Sequence, residues 1–142
     1  MSTIPKKIQP LIDGGFPMHT CLIGTVLDNG FAQITPRGST QVYDDDHISL
    51  WERGRGTTSA QMADGTKTTV FFFDLAKRDV LPIGGLARLY GTATVHKSGP
   101  VYDKVWERLI EPEKKADAEK KGWAVLIKID RAEDLLGQPI KE

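Results

Sequence analysis

Two short stretches of the chain hold residue types suited to binding anions. Ile34 to Thr40 reads ITPRGST, and Glu52 to Ser59 reads ERGRGTTS. In the first, Arg37 offers a planar fork of donors matched to phosphate or carboxylate. Gly38 permits close backbone approach, and Thr35, Ser39 and Thr40 add hydroxyls. In the second, Arg53 and Arg55 are each followed by a glycine, and Thr57 or Thr58 can cap a short helix. The first amides of such a helix would lie beside two arginines, which is the outline of a phosphate cradle. Both stretches also read as ordinary turns, because Pro and Gly punctuate loops. ERGRGTTS lacks the lysine of a P-loop, and no βαβ unit surrounds it, so neither nucleotide fingerprint applies. The residues alone support a phosphate-bearing ligand.

The elements that must position these stretches are mostly strands. Cys21 to Val26 is an apolar run, Asp28-Asn29-Gly30 is a hairpin turn, and Phe31 to Thr35 returns as its partner. A second hairpin follows, with Gln41 to Tyr43 and His47 to Glu52 joined by Asp44, Asp45 and Asp46. Thr68 to Phe73 is β-branched and aromatic, as a central strand requires. Leu86 to Val95 is another strand, and Gly91 inside it marks a bulge or barrel corner. After Pro100 the period changes: Val101, Tyr102, Val105, Trp106 and Leu109 recur at helical spacing. Glu111 to Gly122 mixes charges of both signs and reads as a solvated helix, and Trp123 to Asp130 is the last strand. Short strands joined by turns favour a barrel or sandwich over a parallel α/β sheet. Trp51 and Trp106 are candidate walls for a ligand, and each has a plain reading as core.

Composition narrows the function classes. At 142 residues the chain suits one domain. Lys plus Arg equals Asp plus Glu at 19 each, so there is no broad electrostatic footprint for nucleic acid or an anionic membrane. The single Cys21 forms no internal disulfide, no signal-like apolar segment follows the N-terminus, and no run approaches a membrane span; the expectation is a cytoplasmic protein. His19, His47 and His96 lie apart, without metal-ligand spacing, and Asp44 to Asp46 suit Asx-turn chemistry better than an EF-hand loop.

The order TPRGST, VYDDDHISLWERGRGT, VFFFDLAKRD, LARLYGTATVHKSGPVYDKVW and KKGWAVLIKIDR resembles the pyridoxamine 5′-phosphate oxidase-like FMN-binding proteins, in their short, single-domain branch of unassigned activity. The resemblance runs from about His19 to Arg131. It implies a mainly β fold, a six-stranded antiparallel split β-barrel with flanking helices. One domain would span residues 1–142, with an N-terminal segment at 1–18 and a C-terminal surface segment at 132–142. It further implies a homodimer with one FMN per subunit at the interface. On that pattern Thr35, Pro36, Arg37, Gly38 and Ser39 run along the flavin edge and phosphate, with Trp51 as a wall. Arg53, Arg55, Thr57 and Thr58 close the phosphate end, with Gln61 beside them among the candidate cofactor-binding residues. Many such proteins carry a Lys three residues before an Asn in this helix, and here Thr58 and Gln61 stand in those places. The implied activity is that of an oxidoreductase acting on a small organic substrate, exchanging electrons with a nicotinamide cofactor or oxygen, and the motifs name no catalytic acid or base. The alternative on the same fold is a non-catalytic carrier of flavin, haem or deazaflavin. A small barrel binding single-stranded nucleic acid is opposed by the zero net charge.

Overall fold

The computed structural model describes residues 2–54 and 62–142. Among the described residues, seven antiparallel strands form one sheet: β1 (Leu22–Val26), β2 (Ala32–Pro36), β3 (Gln41–Asp44), β4 (His47–Glu52), β5 (Lys67–Phe73), β6 (Leu86–His96) and β7 (Trp123–Glu133). Their order across the sheet is β2-β1-β5-β6-β7-β4-β3. The count is seven where the resemblance implied six, because the short β3 pairs with β4 from Gln41↔Ser49 to Asp44↔His47 and so stands as a strand of its own.

That order forces the sheet to curl. β2 and β3 are its two edges, yet only Arg37 to Thr40 lie between them in sequence. Seven flat strands spaced about 4.8 Å apart would hold the edges roughly 29 Å from each other. A four-residue link reaches only about 17 Å at full extension. The edges therefore bend toward each other as a barrel, and among the described residues no ladder joins them, which leaves a split.

Alternation fills the interior. Ile23 on β1, Val70 and Phe72 on β5, Leu89 on β6, Ile48 and Leu50 on β4, and Ile127 and Ile129 on β7 are all buried. The N-terminal segment contributes to the same core: Ile4, Ile8 and Ile12 are each no more than 2% exposed, the last on α1 (Gln9–Asp13). Gly91 sits at a register shift between Tyr90 and Gly91, as its position in the strand predicts. A Cβ there would press into the Lys128 carbonyl and come within 2.7 Å of Ile127 Cγ2, so the bulge has room only for hydrogen.

β4 is covered on both faces. Its inward residues join the barrel core, while Trp51 packs against α2 (Pro100–Arg108) in a second cluster with Val105, Leu109 and Ala124. Trp51 stands 5.0 Å from Trp106 and 5.2 Å from Tyr102, ring centre to ring centre. The charged stretch after it is helical only as α3 (Glu111–Ala116), shorter than the expected 111–122. The helix stops because Asp117 turns its carboxylate back to the amides of Lys121 and Gly122. The last strand runs three residues past the expected Asp130, since Arg131 to Glu133 pair with Arg88 to Tyr90. Ala132 and Glu133 are thereby buried rather than part of a surface tail.

Candidate functional site

The ITPRGST stretch begins on β2 and ends on the link to β3. Thr35 pairs with Ile23 and Pro36 with Leu22, both in the β1–β2 ladder. The link then turns inward. Arg37 Nη2 lies 2.9 Å from Glu52 Oε2 and donates to the Trp51 carbonyl at 3.1 Å. Ser39 Oγ accepts from the Trp51 amide at 3.0 Å and donates to the Trp51 carbonyl at 3.3 Å. Thr40 Oγ1 donates to the Arg37 carbonyl, and the Arg37 amide donates to Cys21 O. Gly38 is covered: a Cβ there would meet the Phe16 ring at 3.0 Å and Glu113 Oε2 at 3.1 Å. The structure thus brings Arg37, Ser39 and Trp51 together, but around a carboxylate of the same chain.

Trp51 is 1% exposed, and its indole belongs to the cluster under α2. Its Nε1 donates to Asp117 Oδ2 at 2.8 Å. Burial opposes ionisation of Asp117, but hydrogen bonds from the Trp51 indole and from the Lys121 and Gly122 amides, with the nearby charge of Arg53, outweigh it and hold its carboxyl below the ordinary value. Arg53 is exposed, just past the end of β4. Arg55, Thr57 and Thr58, expected to close the phosphate end, and Gln61 beside them lie outside the described residues. Glu52 and Asp117 are the partners that sequence reasoning missed, because the charges and indole they satisfy lie 15 and 66 positions away.

A different surface has the shape of a binding site. The outward residues of β1, β2, β5 and β6 line a groove of about 710 Å³, with Leu22, Ile34 and Phe71 among its apolar walls and Lys67, Arg88 and Tyr90 among its polar ones. Such volume, apolar lining and few polar groups are typical of small-molecule sites. The polar wall is organised by Glu133, which accepts from Tyr90 Oη at 2.5 Å, pairs with Arg131, and lies 3.7 Å from Arg88. That hydrogen bond raises the Tyr90 phenol above its ordinary value, so Tyr90 is a neutral hydroxyl whose proton is held by Glu133. The outward phase of Arg88 and Tyr90 was legible in the alternation of LARLY; their meeting with Glu133 was not. Around the groove, Val26 is 67% exposed, Phe31 73% and Ile34 66%, an apolar face with no cover in the single chain. Among the described residues no three His, Cys, Asp or Glu side chains gather as a metal site, and no helix is long and apolar enough to cross a membrane.

No family model and no curated protein matches the sequence. Solved structures do match. HupZ of Group A Streptococcus is similar at 20% identity and a TM-score of 0.69, over 98% of this chain and 99% of that one. A candidate pyridoxamine 5′-phosphate oxidase from Lactobacillus delbrueckii aligns at 20% identity and a TM-score of 0.63, over 93% and 98%. An FMN-binding protein from Syntrophomonas wolfei aligns at 16% identity and a TM-score of 0.59, over 92% and 84%. An F420 reductase and HutZ, the haem storage protein of Vibrio cholerae, are similar at TM-scores of 0.55 and 0.51. With the curled antiparallel sheet and its flanking helices, these likenesses show that the chain shares the fold of the pyridoxamine 5′-phosphate oxidase-like, FMN-binding split barrels.

Proposed function

We propose that the protein is an FMN-binding flavoprotein, an oxidoreductase acting on a small organic substrate, with the flavin ring held in the groove over β1, β2, β5 and β6 and a second copy of the chain closing it. The observation that carries this reading is the groove itself: about 710 Å³, apolar along Leu22, Ile34 and Phe71, and edged by Lys67 and Arg88. FMN would supply the electron and hydride transfer, leaving the protein to bind, orient and exclude competing reactions. Leu22, Ile34 and Phe71 keep water from a bound planar ring, and Lys67, Arg88 and Asp130 stand among the charged groups that would face its edge. A nicotinamide is the proposed electron donor. The phosphate end falls to Arg53 and the residues that follow it.

A carrier reading, without turnover, is kept by the haem storage protein that shares the fold. Haem is the weaker ligand here, because among the described residues no His, Cys or Met lines the groove to ligate iron, and the phenol of Tyr90 is bound to Glu133. The test is the visible spectrum of the purified protein before and after FMN is added and the sample desalted, with the retained molecule identified by mass. A retained flavin band bleached by a reduced nicotinamide is the expected result. A protein that stays colourless after loading overturns the cofactor assignment, and a band that no nicotinamide bleaches favours the carrier.

A further inference from the structure

Arg37 is the most suggestive anion-binding residue in ITPRGST, and the fold has already given it an anion. Its guanidinium is 14% exposed and lies 2.9 Å from a Glu52 carboxylate that is 3% exposed. The other Glu52 oxygen accepts the Gly54 amide at 3.2 Å. Ser39 fastens to both backbone groups of Trp51, and Arg37 also holds the Trp51 carbonyl and Cys21 O. The Arg37 guanidinium is what crosses the split: the Arg37 amide continues the β1–β2 pairing at Cys21, Ser39 continues the β3–β4 pairing at Trp51, and the guanidinium reaches from the end of β2 to Trp51 O and Glu52 at the end of β4. Among the described residues no strand pairing joins β2 to β3. Phe16 and Glu113 cover the loop from outside, and Glu113 would repel an incoming anion.

We propose that ITPRGST is the clasp that holds the split of the barrel closed, with Glu52 occupying the seat an external anion would need, so that a ligand's phosphate is gripped outside this loop. The clause about the ligand rests on the FMN reading above; the clasp does not. A buried ion pair that joins the end of β2 to the end of β4 couples its partners through the fold, whereas a phosphate-binding arginine couples to the ligand.

The experiment is a double-mutant cycle in the ligand-free protein, Arg37→Ala with Glu52→Gln, followed by urea unfolding, beside FMN titration of each variant. Each single change is expected to lower the unfolding midpoint, the double variant to lose no more than the worse single, and the FMN dissociation constant to stay within twofold. Should Arg37→Ala fail to fold, Arg37→Lys completes the same cycle. A loss of FMN affinity of tenfold or more with the ligand-free midpoint unchanged, or two additive losses, overturns the clasp. A wild type that takes up no FMN defeats the cofactor assignment alone, since the coupling between Arg37 and Glu52 is measured without it.

Discussion

At the scale of single residues, the polar groups near β4 are decided by what the chain folds against them. Asp117 accepts three hydrogen bonds, including one from the Trp51 indole, and titrates below its ordinary value. A carboxyl lowered in the folded state contributes stability that is full above the ordinary value near about 4 and is lost as pH falls through the folded-state value. Asp117→Ala is therefore expected to cost about 1–2 kcal/mol at neutral pH, the scale of partly exposed hydrogen bonds, and the gap from wild type should close on acidification. Urea unfolding at a series of pH values checks this; a gap that persists at low pH contradicts it. Cys21 belongs to the same class of environment-made residues. Burial, with the negative charge of Asp13, pushes its thiol up to about 12, so it packs as a small apolar group rather than serving as a nucleophile. The chemistry of Arg37 was legible from its type and its neighbours Gly38 and Ser39. Its partner was not, because pairing with Glu52 needs β2 and β4 brought together from opposite sides of the sheet.

At the scale of elements, periodicity read well. Both hairpins, the aromatic β5, the helix after Pro100 and the bulge at Gly91 follow from alternation, turn residues and helical spacing. Two ends were missed for a common reason. β7 continues through Arg131 and Glu133 because those charges satisfy one another and pair across to Arg88 and Tyr90, which a hydropathy pattern does not register. α3 stops early because Asp117 caps the following turn instead of extending the helix. The bulge supplies a prediction at this scale. Gly91→Ala places a methyl against the Lys128 carbonyl and Ile127, an overpacking expected to cost roughly 1–3 kcal/mol. Thermal unfolding of the variant measures it, and an unchanged midpoint would mean that β6 and β7 can slide apart at the bulge.

At the scale of the whole molecule, the apolar outer face of β1 and β2 is the feature that a single chain leaves unexplained. Val26, Phe31 and Ile34 surround the groove, and a second copy laid against this face would bury them and complete a cofactor site. Light scattering should then give twice the chain mass, and Ile34→Asp, at an exposed position, should weaken the dimer at least tenfold without unfolding the monomer. A wild type that runs as a monomer at micromolar concentration removes the second copy from the proposal.

By itself the sequence determined the succession of strands and turns along the chain, a barrel or sandwich rather than a parallel sheet, the helix after Pro100 and the presence of anion-binding residue types, because each of these is written in local periodicity and turn chemistry; the barrel itself was what the family resemblance implied. Only the tertiary structure decided that the Arg37 charge is met by Glu52, that Trp51 is a core residue tied to Asp117, and that the open groove lies over β1, β2, β5 and β6. The physical reason is distance along the chain: a buried charge takes whichever partner the closed barrel sets beside it, and four residues between the two edge strands are what force the barrel to close.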